Sequence, residues 1–65
     1  MKTIREACRA LDIALVELTA AQDRLKHAPP KESIRRWQEA IDQNKIVNAA
    51  EREVFAALDR RFGDE

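Results

Sequence analysis

Both prolines of this 65-residue chain stand side by side, at Pro29 and Pro30 in the segment KHAPPKES, and the residues on either side favour helix. Pro29 disfavours helical geometry at Ala28, and neither proline can donate the hydrogen bond that an uninterrupted helix needs. A first helix therefore has to stop here. Proline is tolerated in a first turn, so Pro30 can open a second helix with Glu32 near its positive end. Ser33 is a competing N-cap that would shift the start by about three residues. The expected elements are helix 1 over about 2–28 and helix 2 over about 30–62. Gly63 is expected to end the second as a C′ residue, with Asp64 and Glu65 fraying beyond it. A connection this short favours antiparallel neighbours. With one Gly, no Tyr and abundant Ala, Glu, Arg, Leu and Lys, the chain has few strand formers. The expected fold is all-α, a single helical-hairpin domain over 1–65.

The first arm carries a heptad. Ile4, Leu11, Leu18 and Leu25 share one position, and Ala7, Ala14, Ala21 and Ala28 fall three residues after each. Such a seam lets two backbones approach closely. Cys8 and Leu15 widen the stripe, and Cys8 is expected to be packed and inert. In the second arm Ile34, Trp37, Ile41, Phe55, Leu58 and Phe62 share a stripe, with Ala40, Val47 and Val54 along its edge. Trp37, at the spacing of Ile34 and Ile41, is expected in the core. Folding the arms together sets Asn44 beside Leu15, Asn48 beside Leu11 and Glu51 near Cys8. Polar groups buried there without partners would cost about 1–3 kcal/mol each. A seam asparagine can instead fix register and oligomer state. The alternative is a three-helix bundle with a break near Asn48, which would cap a third helix with Glu51 three residues on. Against a break, KIVNAAE has no Gly or Pro, and its loop would expose Ile46 and Val47.

A domain this small buries only about 60% of the surface its unfolded chain exposes, so it needs help from disulfides, metals or partners. One cysteine cannot close an internal disulfide, and one histidine leaves no zinc-like cluster. Self-association is the remaining route. The outer face of ALDIALVEL, with Ile13, Val16 and Ala20, points away from the Leu and Ala seam and calls for a second contact. Longer arm 2 leaves Leu58 and Phe62 with little of arm 1 to cover them.

Twelve basic and twelve acidic residues balance to zero, unlike a protein devoted to neutralising phosphates. No stretch approaches the ~20 apolar residues that span a bilayer. A lone thiol without a signal-peptide pattern fits the cytoplasm. Cys8 and His27 would lie about 28 Å apart along one helix, so they cannot form a catalytic pair. Acidic pairs such as Glu51 with Glu53 are read as solvated charges. No catalytic residue, metal or cofactor is expected, and the chain is not expected to be an enzyme.

The near-symmetric hairpin, the Leu and Ala layering from Ile4 to Ala28 and the closing RFGD at Arg61 to Asp64 resemble the Rop family of plasmid copy-number regulators. The resemblance implies a hairpin that dimerises into a four-helix bundle. That family binds paired RNA hairpins through polar residues on the outer face of helix 1, where this chain has Ile13, Val16 and Ala20. No RNA-binding residue is therefore carried over.

The expected protein is a small, non-enzymatic helical oligomer that acts by protein–protein interaction, in the style of a bacterial, phage or plasmid regulator or inhibitor. Its self-association residues would be Leu11, Leu15, Leu18, Trp37, Ile41, Phe55, Leu58 and Phe62, and Ile13 and Val16 would meet another protein. The alternative is an RNA or DNA binder using the basic hinge at Arg24, Lys26, Lys31, Arg35 and Arg36, followed at once by Trp37. Glu32 with Arg36 and Arg35 with Glu39 are expected as i, i+4 pairs.

Overall fold

The computed structural model describes residues 2–63, which fold into two antiparallel helices. Helix α1 spans Ile4–Lys26, one 3₁₀ turn spans Pro30–Glu32, and α2 spans Ser33–Phe62. The hairpin is a rod of 53 × 15 × 15 Å.

Local chemistry sets each end. Thr3 caps α1 with a reciprocal box: its hydroxyl accepts from the Glu6 N–H at 3.2 Å, and its own N–H donates to Glu6 Oε1 at 3.0 Å. The spelling Thr-x-x-Glu at 3–6 was the available signal for a start at Ile4 rather than at position 2. Helix α1 stops at Lys26, two residues short of Ala28. The His27 N–H still reaches the Asp23 carbonyl at 3.2 Å, while Pro29 keeps an extended backbone. Pro30 does open a helical turn, but the α geometry begins only at Ser33. The Ser33 hydroxyl is no N-cap: it donates back to the Pro29 carbonyl at 3.3 Å. Gly63 closes α2 with its N–H on the Asp59 carbonyl at 2.7 Å. Its φ of −92° is ordinary, so left-handed geometry is not why glycine stands there. A Cβ would come within 2.5 Å of the Asp59 oxygen, and that close approach is the reason. The expected fraying of Asp64 and Glu65 lies outside the described residues.

Helix α2 runs unbroken through Asn48, so the three-helix alternative is set aside. The expected seam also needs correcting. The buried side chains are Ala7, Ala14 and Ala21 from α1 and Val47, Ala50 and Ala57 from α2. Leu11 and Leu18 pack against Ala14, Val47 and Ala50 from one side. Of the residues expected at the edge of the α2 stripe, Val47 is buried and Ala40 and Val54 are half-buried, Ala50 and Ala57 complete the centre without having been singled out, and Asn44, Asn48 and Glu51 all lie exposed beside it. The physical reason is distance: small residues on both helices let the axes close up, whereas Trp37 or Phe55 would hold them apart. Gln43, half-buried in the seam, donates its amide to the Ala14 carbonyl across the helices at 3.2 Å. At the open end Lys2 bridges to Glu53 at 2.7 Å, and Arg60 donates to the Lys2 carbonyl at 2.9 Å.

Two outcomes follow for stability. Ala14→Leu, which overfills the seam, is expected to cost about 1–3 kcal/mol in urea unfolding. Thr3→Ala is expected to cost about 1 kcal/mol through the lost cap. The Glu6 carboxyl is held below its usual range, first by the Thr3 backbone N–H and then by the Thr3 side chain. A lowered folded value means the contribution is complete above the ordinary glutamate range and disappears as pH falls through the lowered one. Melts of wild type and Glu6→Gln, which removes the charge and keeps the shape, should therefore differ at neutral pH and converge in acid.

Candidate functional site

Since alanines and one valine fill the seam, the large apolar side chains are displaced onto one flank of the rod. Helix α1 contributes Leu11, Leu15, Leu18 and Leu25, and α2 contributes Ile34, Trp37, Ile41, Phe55, Leu58 and Phe62. Leu11, Leu18, Leu25, Ile41 and Leu58 are half-buried, and the others are exposed. Trp37 is 56% accessible and Phe55 63%, so neither belongs to the core of the hairpin. This corrects the expectation for Trp37, whose spacing matches Ile34 and Ile41 because all three share the flank. Cys8 is likewise exposed rather than packed, one position round from the buried Ala7.

Near the hinge this flank forms a shallow depression lined by Leu18, Leu25, Trp37, Ala40, Ile41 and Asn44. Toward the open end Phe55 and Phe62 protrude, and the Arg61 guanidinium lies 5.6 Å from the Phe62 ring centre. Between these two apolar ends sit Asn44, Asn48 and Glu51. Among the described residues, their side chains have no hydrogen-bond or ion-pair partner within the chain.

Ile13 and Val16 occupy the outer side of α1, at 56% and 69% accessible. With Asp12 and Glu17 they line a second, mostly apolar depression. Acidic side chains rim it.

The basic residues of the hinge do not form one surface. Arg24, Lys26 and Lys31 are exposed, but Arg35 pairs with Glu32 at 2.8 Å. Arg36 reaches Glu39 at 3.1 Å and Glu32 at 3.6 Å. The expected i, i+4 pair of Glu32 with Arg36 is present, whereas Arg35–Glu39 is replaced by the i, i+3 contacts Arg35–Glu32 and Arg36–Glu39. Arg36 and Arg24 line a depression with Glu17, Glu39 and Asp42, while Trp37 lines the one on the apolar flank. Arg36 and the aromatic ring therefore serve different faces. His27 sits against Asp23, with Nδ1 3.5 Å from its carboxylate and 3.0 Å from its carbonyl oxygen.

Among the described residues, no three His, Cys, Asp or Glu side chains are arranged to hold a metal ion, and no helix is long and apolar enough to cross a membrane. Sequence reasoning named the flank residues correctly as apolar but gave some of them to the hairpin core. It missed Gln43 altogether, although its place seven residues before Ala50 and four before Val47 was the clue. No family model, curated protein or solved structure matches the chain.

Trp37 is the single tryptophan of the chain. If the flank is covered on association, its fluorescence should shift to shorter wavelength as protein concentration rises, and it should stay unshifted in a Phe55→Glu variant.

Proposed function

We propose that this chain is a non-enzymatic, self-associating helical protein whose hairpins dock antiparallel into a four-helix bundle, and that the bundle acts by binding another protein. The observation that carries the reading is the split between seam and flank. An alanine methyl yields roughly 0.8 kcal/mol on burial, whereas a Leu or Phe side chain yields about 1.5–3. Ordering each residue costs about 1–2 kcal/mol. The hairpin thus buries its small side chains and leaves its most profitable ones in water. A second hairpin laid on the flank would bury them.

Ile13 and Val16 are on the opposite side of α1 from that assembly and stay open to a further partner. Their acidic rim suits a protein surface with apolar anchors surrounded by basic groups. The mode would be steric or scaffolding, as in a small regulator or inhibitor that works in the cytoplasm. The nucleic-acid reading has less to support it, since Arg35 and Arg36 are already engaged by carboxylates and Trp37 faces elsewhere.

Melting at concentrations a hundredfold apart is the primary test, because linkage to assembly raises the midpoint with concentration. A midpoint that ignores dilution, together with a monomer in sedimentation, would end this reading. Trp37→Glu should give a monomer with a melting midpoint lowered by several degrees. Ile13→Asp should leave both sedimentation and helicity unchanged while abolishing capture of the partner that wild type retains. Unfolding by Ile13→Asp would mean that this side is core.

A further inference from the structure

The polar band across the flank of α2 is centred on Asn48, and its surroundings repeat in mirror order on either side. Asn44 lies four residues before Asn48 and Glu51 three after. Ile41 and Phe55 each stand seven away. Trp37 stands eleven before and Leu58 ten after, and Ile34 and Phe62 each stand fourteen away. A stripe reading apolar, polar, apolar with such symmetry is self-complementary about a two-fold axis crossing α2 at its middle. The hinge half of the stripe holds the depression beside Trp37 and Ile41, with Ile34 and Trp37 themselves exposed, and in the open-end half Phe55 and Phe62 are exposed.

Resting on the self-association proposed above, we infer that the second copy lies on this flank with its hinge at the opposite end, about a dyad at Asn48. Each copy seats Phe55 and Leu58 in the depression formed by Leu18, Leu25, Trp37 and Ile41 of the other. Asn48 then faces its own counterpart, and the Asn44 amide faces the Glu51 carboxylate, as donor to acceptor. Asn44, Asn48 and Glu51 thereby acquire partners on the second copy.

The other two-fold arrangement, with both hinges at one end, lays α2 of one copy on α1 of the other. Within the hairpin Gln43 lies across from Ala14, and Arg60 across from Lys2. The same levels would then press Asn48 onto Leu11 and Asn44 onto Leu15, and Glu51 onto Cys8. Each contact strips water from a polar group without replacing it, at a cost the opposed arrangement avoids. Burying polar residues against each other fixes register in the same way that a seam asparagine does in coiled coils.

The experiment uses the full chain with Cys8→Ser, so that introduced thiols are alone. Asn48 is exposed, so Asn48→Cys leaves the hairpin packing untouched; helicity by circular dichroism checks this. Under a thiol–disulfide buffer, Asn48→Cys should convert most of the chain to a covalent dimer. An equimolar mixture of Asn44→Cys and Glu51→Cys should give the mixed dimer almost exclusively, well beyond the excess that random pairing produces, while either variant alone stays largely unlinked. If sedimentation finds dimers but Asn48→Cys stays reduced, or if Leu11→Cys and Asn48→Cys chains link to each other instead, the register is overturned while self-association stands. Monomers at all concentrations would overturn both.

Discussion

The close approach of α1 and α2 through alanine is the constraint from which the remaining features descend. Ala7, Ala14 and Ala21 facing Val47, Ala50 and Ala57 bring two backbones near enough for Gln43 to reach a main-chain carbonyl on the other helix. No larger set of side chains would allow that bond. Having chosen small residues for its interior, the hairpin has nowhere inside to put Trp37, Phe55 or Phe62. Their exposure is a geometric result of the seam.

Charge follows the same division. The ion pairs of the rod gather at its ends, Lys2 with Glu53 at one and Arg35 and Arg36 with Glu32 and Glu39 at the other. Pairs this exposed are worth about 0–1 kcal/mol each, so they trim the helices rather than hold them together. The middle of the apolar flank, by contrast, holds polar groups with no such local engagement.

Much of this is legible in the sequence. Paired prolines and a helical composition sufficed for a two-helix hairpin, and the alanines at heptad spacing marked the α1 seam. The rotation of α2 was harder to read. Hydrophobic size favours Ile34, Trp37, Ile41 and Phe55 as the buried face, and periodicity is equally good for the neighbouring stripe through Val47, Ala50, Val54 and Ala57. Only the match of small against small separates the two. That is a property of the pair of helices and not of either alone. Cys8 was misassigned for the same reason, since one position round a helix turns a side chain by about 100° and moves it off a narrow seam. The polar residues at 44, 48 and 51 read as flaws in a core only when the stripe of larger residues stands for that core.

The seam also bears on how such a protein would drift under mutation. In ordinary cores large residues resist change and small ones vary. Here the alanines admit nothing bulkier, while the outward Leu, Ile and Phe can be exchanged for one another wherever volume is conserved. Descendants of this chain would keep their smallest letters and shuffle their largest, so kinship would have to be traced through the rhythm of its alanines.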